Sequence, residues 1–237
     1  MVSRTRRVRI TRVSATAKEF ELRADRHQWT IGFDFEDQAR SEGYLFIAGV
    51  DEVGRGCIAG PVVAAACILD REKPLPEGLD DSKKLDADTR TRIAAELKQS
   101  CIAYAIGQIE AEEIDRINIL EATKKAMLAA IASLTPAADH LLIDALHLKA
   151  TPLPQKAIIK GDSISVSIAA ASVLAKTYRD ELMTAYDEQF PQYGFAGHKG
   201  YGCTSHYQAV RAHGPCSLHR MTFRGVVPEE PVEMSLF

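Results

Sequence analysis

The chain lacks most of what marks a protein for the cell exterior or the bilayer. Its five cysteines (Cys57, Cys67, Cys101, Cys203 and Cys216) are odd in number and scattered, with no CxxC pair. Such usage argues against a disulfide framework and for a reducing, cytoplasmic setting. No apolar run approaches the roughly eighteen residues needed to span a bilayer, so no membrane partner is expected. There is one tryptophan, no repeat and no low-complexity tract. With 46% hydrophobic and 26% charged residues, neither a disordered nor a fibrous chain is expected. A formal net charge of −3 excludes a polycation, but the charge is uneven. The first twelve residues hold Arg4, Arg6, Arg7, Arg9 and Arg12 and no acid. That arm suits an auxiliary nucleic-acid contact or a solvated tail equally well. The segment after it, Ser14 to Arg26, is polar, so the arm does not read as a secretory signal.

What is present is one ordinary globular domain in 237 residues. Regular patterning starts at Tyr44. Residues 1–43 read as a basic N-terminal extension with an amphipathic stretch around Phe33 to Ala39, 44–227 as the domain, and 228–237 as a tail. Residues 44–50, 61–69, 101–109, 140–143 and 157–159 are short apolar runs bounded by glycine, proline or charge, and read as five strands. Helices are expected over 86–99 behind Asp86, over 118–134 behind Asn118, and over 165–188 behind Ser165 or Ser167. Two shorter elements follow, ending near His219. The fold class is therefore α/β: a mixed sheet with helices on its faces and a helical C-terminal segment.

Acids stand where strands give out: Asp51 with Glu52, Asp144, and Asp162. Ligand crevices form at such strand ends. Any one carboxylate there could simply cap a turn, but several in one domain are better explained by a shared hard cation that offsets their repulsion. Two ions would clamp the attacking and leaving oxygens of a phosphodiester. Neighbours on a strand point to opposite faces, so Asp51 and Glu52 should share a site only if the strand has lapsed there. The residues alone do not choose Asp162 over Asp180, which lies four after Lys176 and reads as half of a surface ion pair. The GRGCIAG loop (54–60) fails as a dinucleotide fingerprint in spacing and context. Its bare glycines and Arg55 suit close approach of a sugar–phosphate backbone, or a plain hairpin. The glycine loop 193–206 interleaves Tyr193, Phe195 and Tyr201 with His198 and Lys199, a pattern that can stack on sugars or bases. Cys203, His206, His213, Cys216 and His219 have zinc-ligand chemistry. A helix over 204–213 would set the first two histidines two turns apart, so scattered surface histidines are expected and zinc is not.

Several motifs in order then carry a resemblance: GVDEVGRG (49–56), AGPVVAAA (59–66), DSKKL (81–85), NILEAT (118–123), LLID (141–144), KGD (160–162), IAAASVLAK (168–176), RD (179–180), YGFAGHKGYG (193–202) and HRMTF (219–223). Over about Ile47 to Phe223 the chain closely resembles bacterial ribonuclease HII, the type 2 ribonuclease H family. The resemblance implies an RNase H-like mixed five-stranded sheet. It also implies a metal-dependent endoribonuclease that cuts RNA in RNA/DNA hybrids and nicks 5′ of single ribonucleotides in duplex DNA. It puts two Mg²⁺ or Mn²⁺ ions on Asp51, Glu52, Asp144 and Asp162. It assigns the ribose 2′-hydroxyl to Gly54, Arg55 and Gly56, the following deoxyribose to Tyr201, and phosphate contacts to Lys83, Lys84 and Lys199. Cys57 stands where the family usually has proline, which suggests an oxidation-sensitive loop. The end of the chain, Glu233, Met234, Ser235, Leu236 and Phe237, resembles the peptide by which repair proteins dock on the sliding clamp. A monomer is expected. The rival readings are a non-catalytic hybrid-binding module, with the acids as caps, and a general metal-dependent nuclease indifferent to ribose.

Overall fold

The computed structural model describes residues 31–227. The arginine arm, Trp29 and the clamp-like tail Glu233–Phe237 lie outside the described residues. The element order is α1 (Asp34–Ser41), β1 (Ile47–Val53), β2 (Val62–Ile68), α2 (Ala87–Ser100), β3 (Ala103–Ile109), α3 (Ala111–Ile117), α4 (Ile119–Ala132), β4 (His140–Asp144), β5 (Gln155–Ile158), α5 (Val166–Gln189), α6 (Phe195–His198) and α7 (Thr204–His213). The strands form one five-stranded sheet in the order β3-β2-β1-β4-β5. β1 pairs antiparallel with β2 and parallel with β4, so the sheet is mixed.

Local chemistry explains the helix starts. Asp86 accepts the Thr89 amide at 2.8 Å, Asn118 accepts those of Leu120 and Glu121, and Ser165 accepts that of Ile168. Each satisfies a donor that the first turn leaves orphaned. Period-two alternation in β2 then splits the core. Val62, Ala64, Ala66 and Ile68 face a cluster with Ala126, Met127 and Ala130 of α4. Val63, Ala65 and Cys67 face Ile93 and Leu97 of α2 and Ala169, Ala170 and Val173 of α5. Fully burying a side chain such as Leu97 contributes roughly 2 kcal/mol. Small residues let α5 lie close on β1: a Cβ on Gly49 would run into the Ser167 backbone. That close contact brings the helix up against the strand end where the acids lie.

Helix α1 falls within the stretch read as an extension, yet it belongs to the core. Ala39 packs with Ile47, Leu142 and Ile168. Buried Glu36 accepts from the Ser165 hydroxyl at 2.6 Å and the Ser167 amide at 3.0 Å. The short α3 was not anticipated, because seven residues are too few to display helical periodicity.

Candidate active site

A shared site for Asp51 and Glu52 is expected only with a lapsed strand; the strand does not lapse, yet the charge of Glu52 still reaches Asp51. Asp51, Glu52 and Val53 all remain in β1, paired with Ala65, Ala64 and Val63 of β2. β1 therefore runs on beyond its pairing with β4, which ends at Val50 and Ile143. One residue further on, the same register sets Asp51 beside Asp144, on the face that meets α5. Asp162 arrives in a 3₁₀ turn, Gly161–Ser163, whose Gly161 amide donates to Asp144 Oδ1 at 2.7 Å. Glu52 has Oε1 3.1 Å from Arg55, and its Oε2 is buried without a hydrogen-bond partner among the described residues.

These acids repel one another in a dry setting. Burial, then the charges of Glu52 and Asp144, push the Asp51 carboxyl well above the usual range, although the Glu52 amide and Ser172 work the other way. Burial likewise raises Asp144 to about 6, with Asp162 and Glu52 adding to it against the Gly161 amide. Besides Arg55 on Glu52, compensation comes from Lys83, whose Nζ lies 2.8 Å from Asp162 and 4.0 Å from Asp81. Desolvation works against that ammonium, but the hydrogen bond and charge of Asp162 outweigh it and hold its pKa above the usual range.

An all-oxygen, over-negative and partly orphaned donor set fits a hard divalent cation. Among the described residues no three Asp, Glu, His or Cys side chains converge tightly enough to cage one ion. Mg²⁺ commonly takes one or two carboxylates, keeps waters and shares substrate phosphate oxygens.

Asp180, read as half of a surface pair, is instead mostly buried. It accepts from Lys176 at 2.6 Å and from Arg90 at 3.2 Å. Lys84 is exposed and pairs with Asp80 at 2.9 Å. The Lys199 ammonium bonds the Thr184 hydroxyl at 2.6 Å, while its carbonyl turns inward.

The glycine loop is held from behind by two arginines that sequence reasoning missed. Arg179 and Arg220 are fully buried and, among the described residues, make no ion pair. Arg179 donates to the carbonyls of Pro61 (3.0 Å), Lys199 (2.7 Å) and Ala59 (3.0 Å). Arg220 donates to Gly60 and Arg55. Gly54 is required where it is: its φ is +91°, and a Cβ would strike the Arg179 guanidinium. With the carbonyls committed inward, Arg55 and Gly56 stay exposed on the outer side. Tyr201 bridges to Cys57, and the residue is 43% exposed. Cys57 is itself fully buried, and burial raises its thiol pKa, so the expected oxidation-sensitive cysteine is a protonated, shielded one.

The reading of α7 is also corrected. The helix forms, but His206 and His219 are buried rather than scattered on the surface, with Nε2 atoms 3.1 Å apart.

The family model for ribonuclease HII matches residues 48–226. A ribonuclease HII of Syntrophotalea carbinolica is 53% identical over 81% of this chain and 91% of its own length. One of Chlamydia caviae is 55% identical over 80% of this chain and 89% of its own length. Among solved structures, ribonuclease H2 of Pyrococcus horikoshii shares the fold at a TM-score of 0.65 and 23% identity, covering 77% of this chain and 95% of that one.

Proposed function

Since this chain belongs to the ribonuclease HII family, and is thereby an endoribonuclease of RNA/DNA hybrids, we propose that Asp51, Glu52, Asp144 and Asp162 form its catalytic metal site. The observation that carries this is the electrostatic state of Asp51. It is a nearly inaccessible carboxyl, driven up by burial and by two neighbouring acids, where β1 runs past its pairing with β4. A structural cap is stabilised by its surroundings; this group is destabilised until positive charge arrives.

Asp51, Glu52, Asp144 and Asp162 would hold Mg²⁺ or Mn²⁺, which would supply Lewis acidity for hydrolysis leaving 5′-phosphate and 3′-hydroxyl ends. The protein's own groups do the rest. The Gly161 amide and the Glu52 amide orient the Asp144 and Asp51 carboxylates. Lys83 holds Asp162 and is poised to meet a phosphate oxygen. Gly54, Arg55 and Gly56, backed by Arg179 and Arg220, lie against the ribose and its 2′-hydroxyl, the group that separates RNA from DNA. Tyr201 packs on the next sugar, while Lys84 and Lys199 contribute weaker phosphate contacts. The cut falls 5′ of a single embedded ribonucleotide, which suits removal of misincorporated ribonucleotides and of RNA primers. The tail Glu233–Phe237, outside the described residues, docks the sliding clamp; unchanged clamp affinity after removal of the last five residues would dispose of that contact.

The test is a DNA duplex carrying one ribonucleotide, beside an all-DNA control. The wild type should nick 5′ of the ribonucleotide with Mg²⁺ or Mn²⁺. Asp51→Asn should melt no lower than the wild type and should not cut. Cleavage of the control would mean a general nuclease; a near-normal rate in Asp51→Asn would remove the metal site from these acids.

A further inference from the structure

Behind the ribose-facing surface lies a chain of hydrogen bonds whose proton positions can be assigned without choice. His206 Nδ1 is 2.9 Å from the Tyr201 carbonyl oxygen. A carbonyl only accepts, so this nitrogen carries the proton. A neutral imidazole has one proton, which leaves His206 Nε2 bare. Its partner at 3.1 Å, His219 Nε2, must therefore donate. His219 Nδ1 is then bare in turn, and that is what its other neighbours require. The Cys216 amide donates to it at 3.0 Å, and the Cys216 thiol lies at 3.2 Å. Two main-chain groups, at opposite ends, independently demand the same tautomers.

The chain ties together the two segments that frame the glycine loop. On one side, the Gly200 carbonyl accepts the Ile58 amide at 2.9 Å, and Tyr201 bridges to Cys57. On the other side, the Arg220 amide donates to Ile58 and the Leu218 carbonyl accepts from Gly60. His198, stacked on His206 at 4.2 Å, accepts the Gly200 amide and fixes the residue before Tyr201. Both histidines of the pair are inaccessible, so neither can touch a substrate.

We propose that His206 and His219 are positioning residues for sugar recognition: through the relay Cys216–His219–His206 they set the main chain of Tyr201 against the Gly54–Gly56 loop. This rests on the reading of Tyr201 as a sugar-packing surface. The relay acts on substrate affinity and leaves the carboxylates untouched.

The experiment compares steady-state cleavage of the single-ribonucleotide duplex by the wild type, Tyr201→Ala, His206→Phe, His206→Asn, His219→Asn and the double variant Tyr201→Ala with His206→Phe. An Asn amide at 206 stands where Nδ1 stood and still donates to the Tyr201 carbonyl. Asn at 219 can still accept from the Cys216 amide but no longer serves His206. One lost hydrogen bond corresponds to a KM increase of roughly two- to tenfold, expected for His206→Phe with kcat little changed. His206→Asn should recover most of the loss, and His219→Asn should shift KM in the same direction as His206→Phe. In the Tyr201→Ala background, His206→Phe should add nothing. Equal effects with and without Tyr201, a fall in kcat alone, or Asn no better than Phe at 206 would overturn the positioning role. Should His206→Phe not fold, the KM values of the two Asn variants decide the same question. A wild-type KM for Tyr201→Ala would instead overturn the sugar-packing reading, and the relay's role with it. An impaired Tyr201→Ala beside unaffected histidine variants would sink the relay alone.

Discussion

Replacing Arg179 with methionine tests how the glycine loop is held. The guanidinium is fully buried and supplies the three donors to Pro61, Lys199 and Ala59. Methionine fills much of the same length but donates nothing. Each buried carbonyl left without its donor costs about 1–3 kcal/mol. Removing a buried charge returns part of that, because its desolvation is no longer required. The net expectation is a destabilisation of about 3–6 kcal/mol, a large share of the 5–15 kcal/mol typical of a domain. Arg179→Lys keeps the charge and at most part of the fork, so it should fall between. Urea unfolding should show a lower midpoint with an unchanged slope. Protein that remains folded should cleave a hybrid with a raised KM, since Gly54 to Gly60 would no longer be pinned. A loss below about 1 kcal/mol together with a wild-type KM would refute the reasoning, because it would mean the carbonyls find other donors.

Two further expectations concern pH and metal, and they have opposite signs. Burial lowers His206 to about 4 and also lowers His219, so between roughly pH 6.5 and pH 4 the unfolded chain binds protons that the folded one refuses. Stability from these groups is full above pH 6.5 and should fall as pH drops through that window. Replacing His206 with asparagine should flatten the acid limb of Tm against pH, and an unchanged limb would show that these rings do not govern it. Asp144, raised to about 6, behaves the other way: its contribution is full below the unfolded value near 4 and is lost as pH rises through 6, with Asp51 adding to the loss. Mg²⁺ should therefore raise Tm more at pH 8 than at pH 5; equal increments at both would mean the ion does not bind these carboxylates.

The sequence by itself determined what depends on near neighbours. Asp86, Asn118 and Ser165 start helices because each needs only a donor two or three residues away. The five strands, the three strand-end acid sites and the glycine loop were legible for the same reason, and the ordered motifs named the family. Tertiary structure decided whatever depends on which strand lies alongside. β1 carries Asp51 and Glu52 past the end of its pairing with β4, so two acids expected to need a lapsed strand remain inside one. Burial was equally invisible. An arginine in the middle of a helix carries no local sign of burial, yet Arg179 is sealed beneath a loop more than a hundred residues away in the chain. His206 and His219 looked like surface scatter because spacing along one helix said nothing of a second segment folding back onto it. The physical reason is common to all three: a side chain's charge state and partners follow from the dielectric and the donors around it, and those arrive only with residues distant in sequence.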